Sequence, residues 1–190
     1  MRFDDRQDAG RRLGEALAEL APARPVVLAL PRGGVPVGAE VARRLRAPLD
    51  LVMVRKIGAP GQAELAAGAV VDGSQPELVL NEQIVQALRI DPGYLEREKV
   101  LQLAEIARRR ALYLEGRPRP ELAGRTAILV DDGIATGATM LAALRAIRLV
   151  QPRELVVAVP VADSAVLERL APAADRIVCL HRPRDLMAVG

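Results

Sequence analysis

The feature that most constrains this chain is a series of short apolar runs, several of them followed by a loop and a helix-spaced segment. The runs are 26–30 (VVLAL), 51–55 (LVMVR), 126–130 (TAILV), 155–161 (LVVAVPV) and 176–180 (RIVCL). Runs of this length and composition read as buried strands. Helical spacing lies between them: Leu13, Leu17 and Leu20 within 4–20, a helix from the PRGGVPVG segment to about Arg46, and another from DDGIATGAT to about Val150. Strands alternating with helices predict βαβ units and a mainly parallel twisted sheet flanked by helices, an α/β fold. Residues 56–67 (KIGAPGQAELAA) read as a loop, with short strand-like pieces at 68–71 and 78–80. Residues 82–115 read as polar helices, the second opened by Pro92. The expected organisation is one domain over 1–190, with 72–120 a mostly helical insertion.

Composition closes off several classes. One cysteine, Cys179, and one histidine, His181, exclude a disulfide framework and a cysteine- or histidine-rich metal site. The balance of 27 basic and 24 acidic residues leaves a small surplus, carried almost wholly by arginine, with lysine only at Lys56 and Lys99. Aromatic residues are 2% of the chain, too few for base-stacking platforms, which argues against a nucleic-acid partner. No apolar run reaches membrane-spanning length, and the charged start (MRFDDRQDAGRR) is unlike a signal peptide. The expectation is a soluble cytoplasmic protein.

In an open parallel sheet, ligands bind just past the carboxyl ends of the strands. The unusual segments of this chain fall there: 31–34, Lys56, 131–139, Asp163 and His181. The most informative is 128–140, ILVDDGIATGATM. Thr136, Gly137, Ala138 and Thr139 stand where a loop opens a helix, so unpaired backbone N–H groups suit a phosphate there. Asp131 and Asp132 would repel phosphate; they suit sugar hydroxyls, or a place near a divalent cation. Acids followed by a phosphate cup read as a ribose 5-phosphate site. In LPRGGVPVG, Gly33 and Gly34 expose backbone amides to an anion and Arg32 adds a forked donor; a tight glycine turn is the plain alternative. Arg55 and Lys56 are either a basic pair for an anion or a solvated basic turn. His181 reads as a hydrogen-bonded histidine and Cys179 as a small apolar residue. Arg108, Arg109 and Arg110 read as a solvated helix face or an attraction for an anion.

Hydrophobic strand, two acids and then ATGAT resembles the signature of type I phosphoribosyltransferases, which use 5-phosphoribosyl-1-pyrophosphate (PRPP). Together with RFDDRQDAG, LALPRGGVPVGAEVA and RKIGAPG, the pattern is similar to a bacterial group of phosphoribosyltransferases whose acceptor is unassigned. The resemblance implies that Asp131 and Asp132 hold the ribose hydroxyls and that Ala135, Thr136, Gly137, Ala138 and Thr139 cup the 5-phosphate. It implies that Arg32, Gly33 and Gly34 meet the pyrophosphate. Arg55 and Lys56 would be the catalytic cations of a mobile loop. Magnesium would be bound mainly through PRPP, with no protein metal site. A homodimer is the family's habit. The implied reaction is displacement of pyrophosphate by a small acceptor, a nitrogenous base; the alternative is a PRPP- or nucleotide-sensing regulatory protein on the same fold. Ala135 stands where 6-oxopurine enzymes carry an acid and Asp163 where they carry a lysine, which weakens hypoxanthine or guanine as acceptor. Phe3, Tyr94 and Tyr113 are the few aromatics that would stack on a base. The resemblance implies a small hood of terminal and inserted segments over the acceptor; the resembled group usually continues past LHRPRDLMAVG, which leaves open whether the C-terminal hood is complete here.

Overall fold

The computed structural model describes residues 3–73, 76–114 and 116–183. They fall into two compact units: Met1–Val52 with Pro120–Gly190, and Met53–Arg119.

The first unit is built on strands β1 (Val26–Ala29) and β2 (Leu49–Leu51), and on β6 (Thr126–Val130), β7 (Glu154–Val161) and β8 (Arg176–His181). They form one parallel sheet in the order β2-β1-β6-β7-β8. Every residue of β1 and β6 is buried, as expected of strands covered on both faces. The covering helices are α1 (Arg6–Ala16), α2 (Gly34–Leu45), α5 (Ala138–Leu149) and α6 (Ser164–Leu170). Leu13 and Leu17 meet Val37 and Val41 of α2 and Val27, Ile128 and Val156 of the sheet in one core. Burial of such side chains stabilises by about 1.5–3 kcal/mol each.

α1 and α2 approach closely because Gly10 and Gly14 face α2. A Cβ at Gly10 would stand 2.8 Å from the Glu40 Cβ, and one at Gly14 would stand 2.9 Å from the Arg44 Cβ. Arg6, Gly10 and Gly14 recur every fourth residue and so share one helix face. Asp5 caps this helix, its carboxylate accepting the Asp8 N–H at 2.7 Å.

The second unit contains an antiparallel sheet of β3 (Val54–Ala59), β4 (Gln62–Val71) and β5 (Glu77–Leu80), with helices α3 (Glu82–Ala87) and α4 (Pro92–Leu114). Two expectations are corrected here. Residues 56–67 are not a loop but most of the β3–β4 hairpin, closed by Pro60 and Gly61, the latter at φ +72°. Proline followed by a left-handed glycine is turn chemistry, and alanine-rich strands carry little β-propensity, so the segment looked irregular. Nor is 51–55 one strand. β2 ends at Leu51, and Met53 is held instead by Asp72, whose N–H donates to the Met53 carbonyl (2.9 Å) and whose carboxylate accepts the Met53 N–H (2.6 Å).

Candidate functional site

The sheet order places β1 between β2 and β6. The chain therefore leaves β1 for one side of the sheet and returns on the other, and the β1–β6 crevice is the topological switch point. Ala29 stands opposite Val130, and the Leu30 N–H donates to the Val130 carbonyl at 2.9 Å. The residues that follow each strand are thereby forced side by side. A Cβ on Gly33 would fall inside the Asp132 carboxylate, and one on Gly34 would lie 2.7 Å from the Val130 carbonyl oxygen and 2.9 Å from the Asp131 Cα. Only glycine allows that approach. The Pro31–Arg32 peptide is cis. Arg32 is exposed beside this junction.

Asp131 and Asp132 differ in surroundings. The Asp131 carboxylate accepts the Asp132 N–H at 2.9 Å. Burial and the neighbouring Asp132 charge push the Asp131 carboxyl up to about 7, against the pull of that N–H and of Arg6. Asp132 receives the Arg6 Nε at 2.8 Å. Arg6 is the residue sequence reasoning missed. Its signal was present: arginine followed at four-residue intervals by two glycines, in a helix that such glycines otherwise weaken.

The loop after β6 then runs to Gly137, which adopts φ +78° as the N-cap of α5. No side chain caps this helix, so the first amides of Ala138 and Thr139 have no side-chain acceptor at the cap. Thr136, Ala138 and Thr139 are accessible at the surface, and Ala135 is half-buried. The Arg169 side chain donates to the Thr136 carbonyl at 3.1 Å. A carboxylate pair, a glycine junction and an open helix N-terminus thus follow two adjacent strands.

Several other singled-out residues have local partners. Asp163 caps α6 through the Ala165 N–H at 2.7 Å. His181 closes β8, where its carbonyl accepts the Ala162 N–H and the Cys179 thiol (3.2 Å). Burial pushes that thiol up, which makes it a poor nucleophile. Phe3 packs under the Arg12 guanidinium. In the second unit, Arg55 donates to Gln102 at 3.0 Å and Lys56 is paired with Glu64 at 3.0 Å. Tyr94 donates to the Gly58 carbonyl, and Tyr113 is exposed. Arg108 and Arg109 both pair with Glu105, holding its carboxyl down at about 2, while Arg110 reaches Asp72. The arginine run is therefore an ion-paired helix face. Residues 184–190, part of the expected hood, lie outside the described residues. No helix among the described residues is long and apolar enough to cross a membrane.

Known proteins share this architecture. The family model for the phosphoribosyl transferase domain matches residues 4–181. Two proteins of Mycobacterium tuberculosis, from strains CDC 1551 and H37Rv, each named a "putative phosphoribosyl transferase", are 47% identical over 188 residues. Those matches cover 99% of this chain but only 42% of each relative's length. The crystal structure of TT1426 from Thermus thermophilus superposes with a TM-score of 0.83 at 50% identity, over 99% of this chain and 88% of that one. A purine phosphoribosyltransferase from Pyrococcus horikoshii shares the fold, with a TM-score of 0.50 at 16% identity over 93% of this chain and 84% of its own. Sheet order, domain match and sequence identity together place the chain in the phosphoribosyl transferase family, with the type I fold.

Proposed function

We propose that the chain binds PRPP at the β1–β6 switch point and catalyses displacement of its pyrophosphate by a small nitrogenous acceptor. One observation carries the reading: the register of β1 on β6 sets the Gly33–Gly34 backbone against Asp131 and Asp132, with the uncapped start of α5 on the same strand's loop. In this reading the amides of 136–139 take the 5-phosphate, and the two carboxylates accept hydrogen bonds from the ribose hydroxyls. The amides at Gly33 and Gly34, with Arg32, take the pyrophosphate. The acceptor nitrogen bonds to the anomeric carbon as the carbon–oxygen bond to pyrophosphate breaks. That oxygen keeps the electron pair, and the acceptor's N–H proton is released.

The transition state is oxocarbenium-like at carbon and anionic at the leaving group, so fixed dipoles and charges supply most of the acceleration. Magnesium would arrive with PRPP, held mainly by phosphate oxygens and water, and would supply positive charge to the leaving pyrophosphate. Among the described residues no group of three His, Cys, Asp or Glu side chains would hold an ion unaided.

The test is calorimetric titration with PRPP, with and without Mg²⁺, on wild type and on Asp131→Asn/Asp132→Asn. Mg²⁺-dependent binding that the double variant loses, by about tenfold or more for one charged hydrogen bond, supports the site. Unchanged affinity in the variant overturns it. A screen of acceptors for pyrophosphate release then separates enzyme from sensor: binding without turnover of any acceptor favours a PRPP-sensing protein. Lys56→Ala is expected to lower turnover several-fold while leaving PRPP affinity unchanged, read as kcat against the titration constant.

A further inference from the structure

We infer that Arg6, on the first turn of α1, is a positioning residue that fixes the Asp132 carboxylate for the ribose. The inference rests on the PRPP reading of the same site. The Asp132 carboxylate has two close neighbours. The Arg6 Nε donates to Oδ2 at 2.8 Å, and the Gly33 backbone lies so close that any Cβ there would overlap the carboxylate. Asp132 is largely enclosed, with 16% of its side chain exposed, whereas Arg6 is 46% exposed. A carboxylate free to rotate would present either oxygen to a ligand. One held at Oδ2 by a charge-assisted hydrogen bond from a guanidinium presents Oδ1 in a single orientation.

The placement of Arg6 is not a loose surface encounter. α1 is seated on α2 by Gly10 and Gly14, and α2 begins at Gly34, one residue beyond the glycine that abuts Asp132. The same helix face thus carries the two close-approach glycines and, one turn earlier, the arginine. Asp5 fixes that turn as its N-cap. Three sequence-distant segments, the start of α1, the β1–α2 junction and the end of β6, are locked around one carboxylate.

A positioning role makes a sugar-specific prediction. Ribose 5-phosphate is titrated in parallel with 2-deoxyribose 5-phosphate and 3-deoxyribose 5-phosphate, on wild type, Arg6→Gln and Arg6→Lys. Circular dichroism confirms that α1 persists in each. Wild type should prefer the full sugar over at least one deoxy analogue. Arg6→Gln should reduce that preference about tenfold, the worth of one well-placed hydrogen bond to a charged group. Arg6→Lys should restore most of it, because the ammonium keeps the charge and one donor. An Arg6→Gln protein that retains the wild-type preference overturns the inference while leaving the PRPP reading standing. So does an Arg6→Lys protein that folds yet discriminates no better than Arg6→Gln. A wild type that does not distinguish the three sugars overturns the PRPP reading itself, and the inference with it.

Discussion

Asp131 sits where the chain's chemistry and its stability pull in opposite directions. Its carboxyl is raised from 3.8 to about 7 by burial and by the Asp132 charge. In the unfolded chain it ionises at its ordinary value. Between roughly pH 4 and 7 the folded state therefore holds a proton that the unfolded state has released. Stability from this group is lost as pH rises through that window and is flat above it. The expected loss is on the order of 1–3 kcal/mol, allowing for partial solvent access. Asp131→Asn should flatten that part of the profile and raise the melting temperature at pH 8 relative to wild type, even as it weakens ligand binding. Thermal melts from pH 4 to 8 on both proteins check the sign. A wild-type profile that rises over this range would contradict it.

At the scale of elements, the loop between β6 and α5 depends on Gly137. Its φ of +78° is costly for any other residue, and a Cβ would come within 2.8 Å of Val166 on α6. Gly137→Ala should cost roughly 1–3 kcal/mol in urea unfolding, from strain and overpacking together. It should also tilt the amides at the start of α5 and weaken phosphate binding. In the second unit, Asp72 plays the structural counterpart. Its side chain is 2% exposed and binds the Met53 N–H, Arg110 at 3.4 Å and Arg119 at 2.8 Å. It therefore ties both edges of that unit's polypeptide to the end of β4. Asp72→Ala would remove the shared acceptor of two arginines, one of them largely buried, at a cost of about 3–5 kcal/mol. Denaturant midpoints of the variant and wild type measure it.

For the molecule as a whole, ligand and stability are linked. If PRPP with Mg²⁺ binds only the folded chain, a concentration about 100 times its dissociation constant stabilises by about 2.7 kcal/mol. For a domain of this length that is a rise of about 5–10 °C in melting temperature. Differential scanning fluorimetry with PRPP, and with pyrophosphate alone, would show it. Much of the first unit's architecture was legible in the sequence, because VVLAL and TAILV are uninterrupted apolar runs whose burial leaves one solution, a parallel sheet. The two acids and the glycines after them were legible for the same reason: loops that follow such strands carry residues that burial does not demand. The hairpin at 54–71 was not. Its glycines and proline act through a turn and a close cross-strand contact at Gly58, and its alanines carry no pattern. Arg6 was hidden because its partner lies 126 residues away and only the packing of α1 on α2 brings them together.

The pairing of β1 with β6 joins positions about a hundred residues apart, with the whole Met53–Arg119 unit threaded between them. Closing so long an intervening span is entropically slow, and non-local parallel pairing is among the late events in folding. The neighbouring helices and the β3–β4 hairpin are local and can form early. Chains released from denaturant should therefore regain most of their helical signal before they regain any capacity for the ligand. Acquisition of binding would serve as a clock for the last long-range step of assembly, and a nascent chain that has not yet emitted TAILV from the ribosome would carry no site at all.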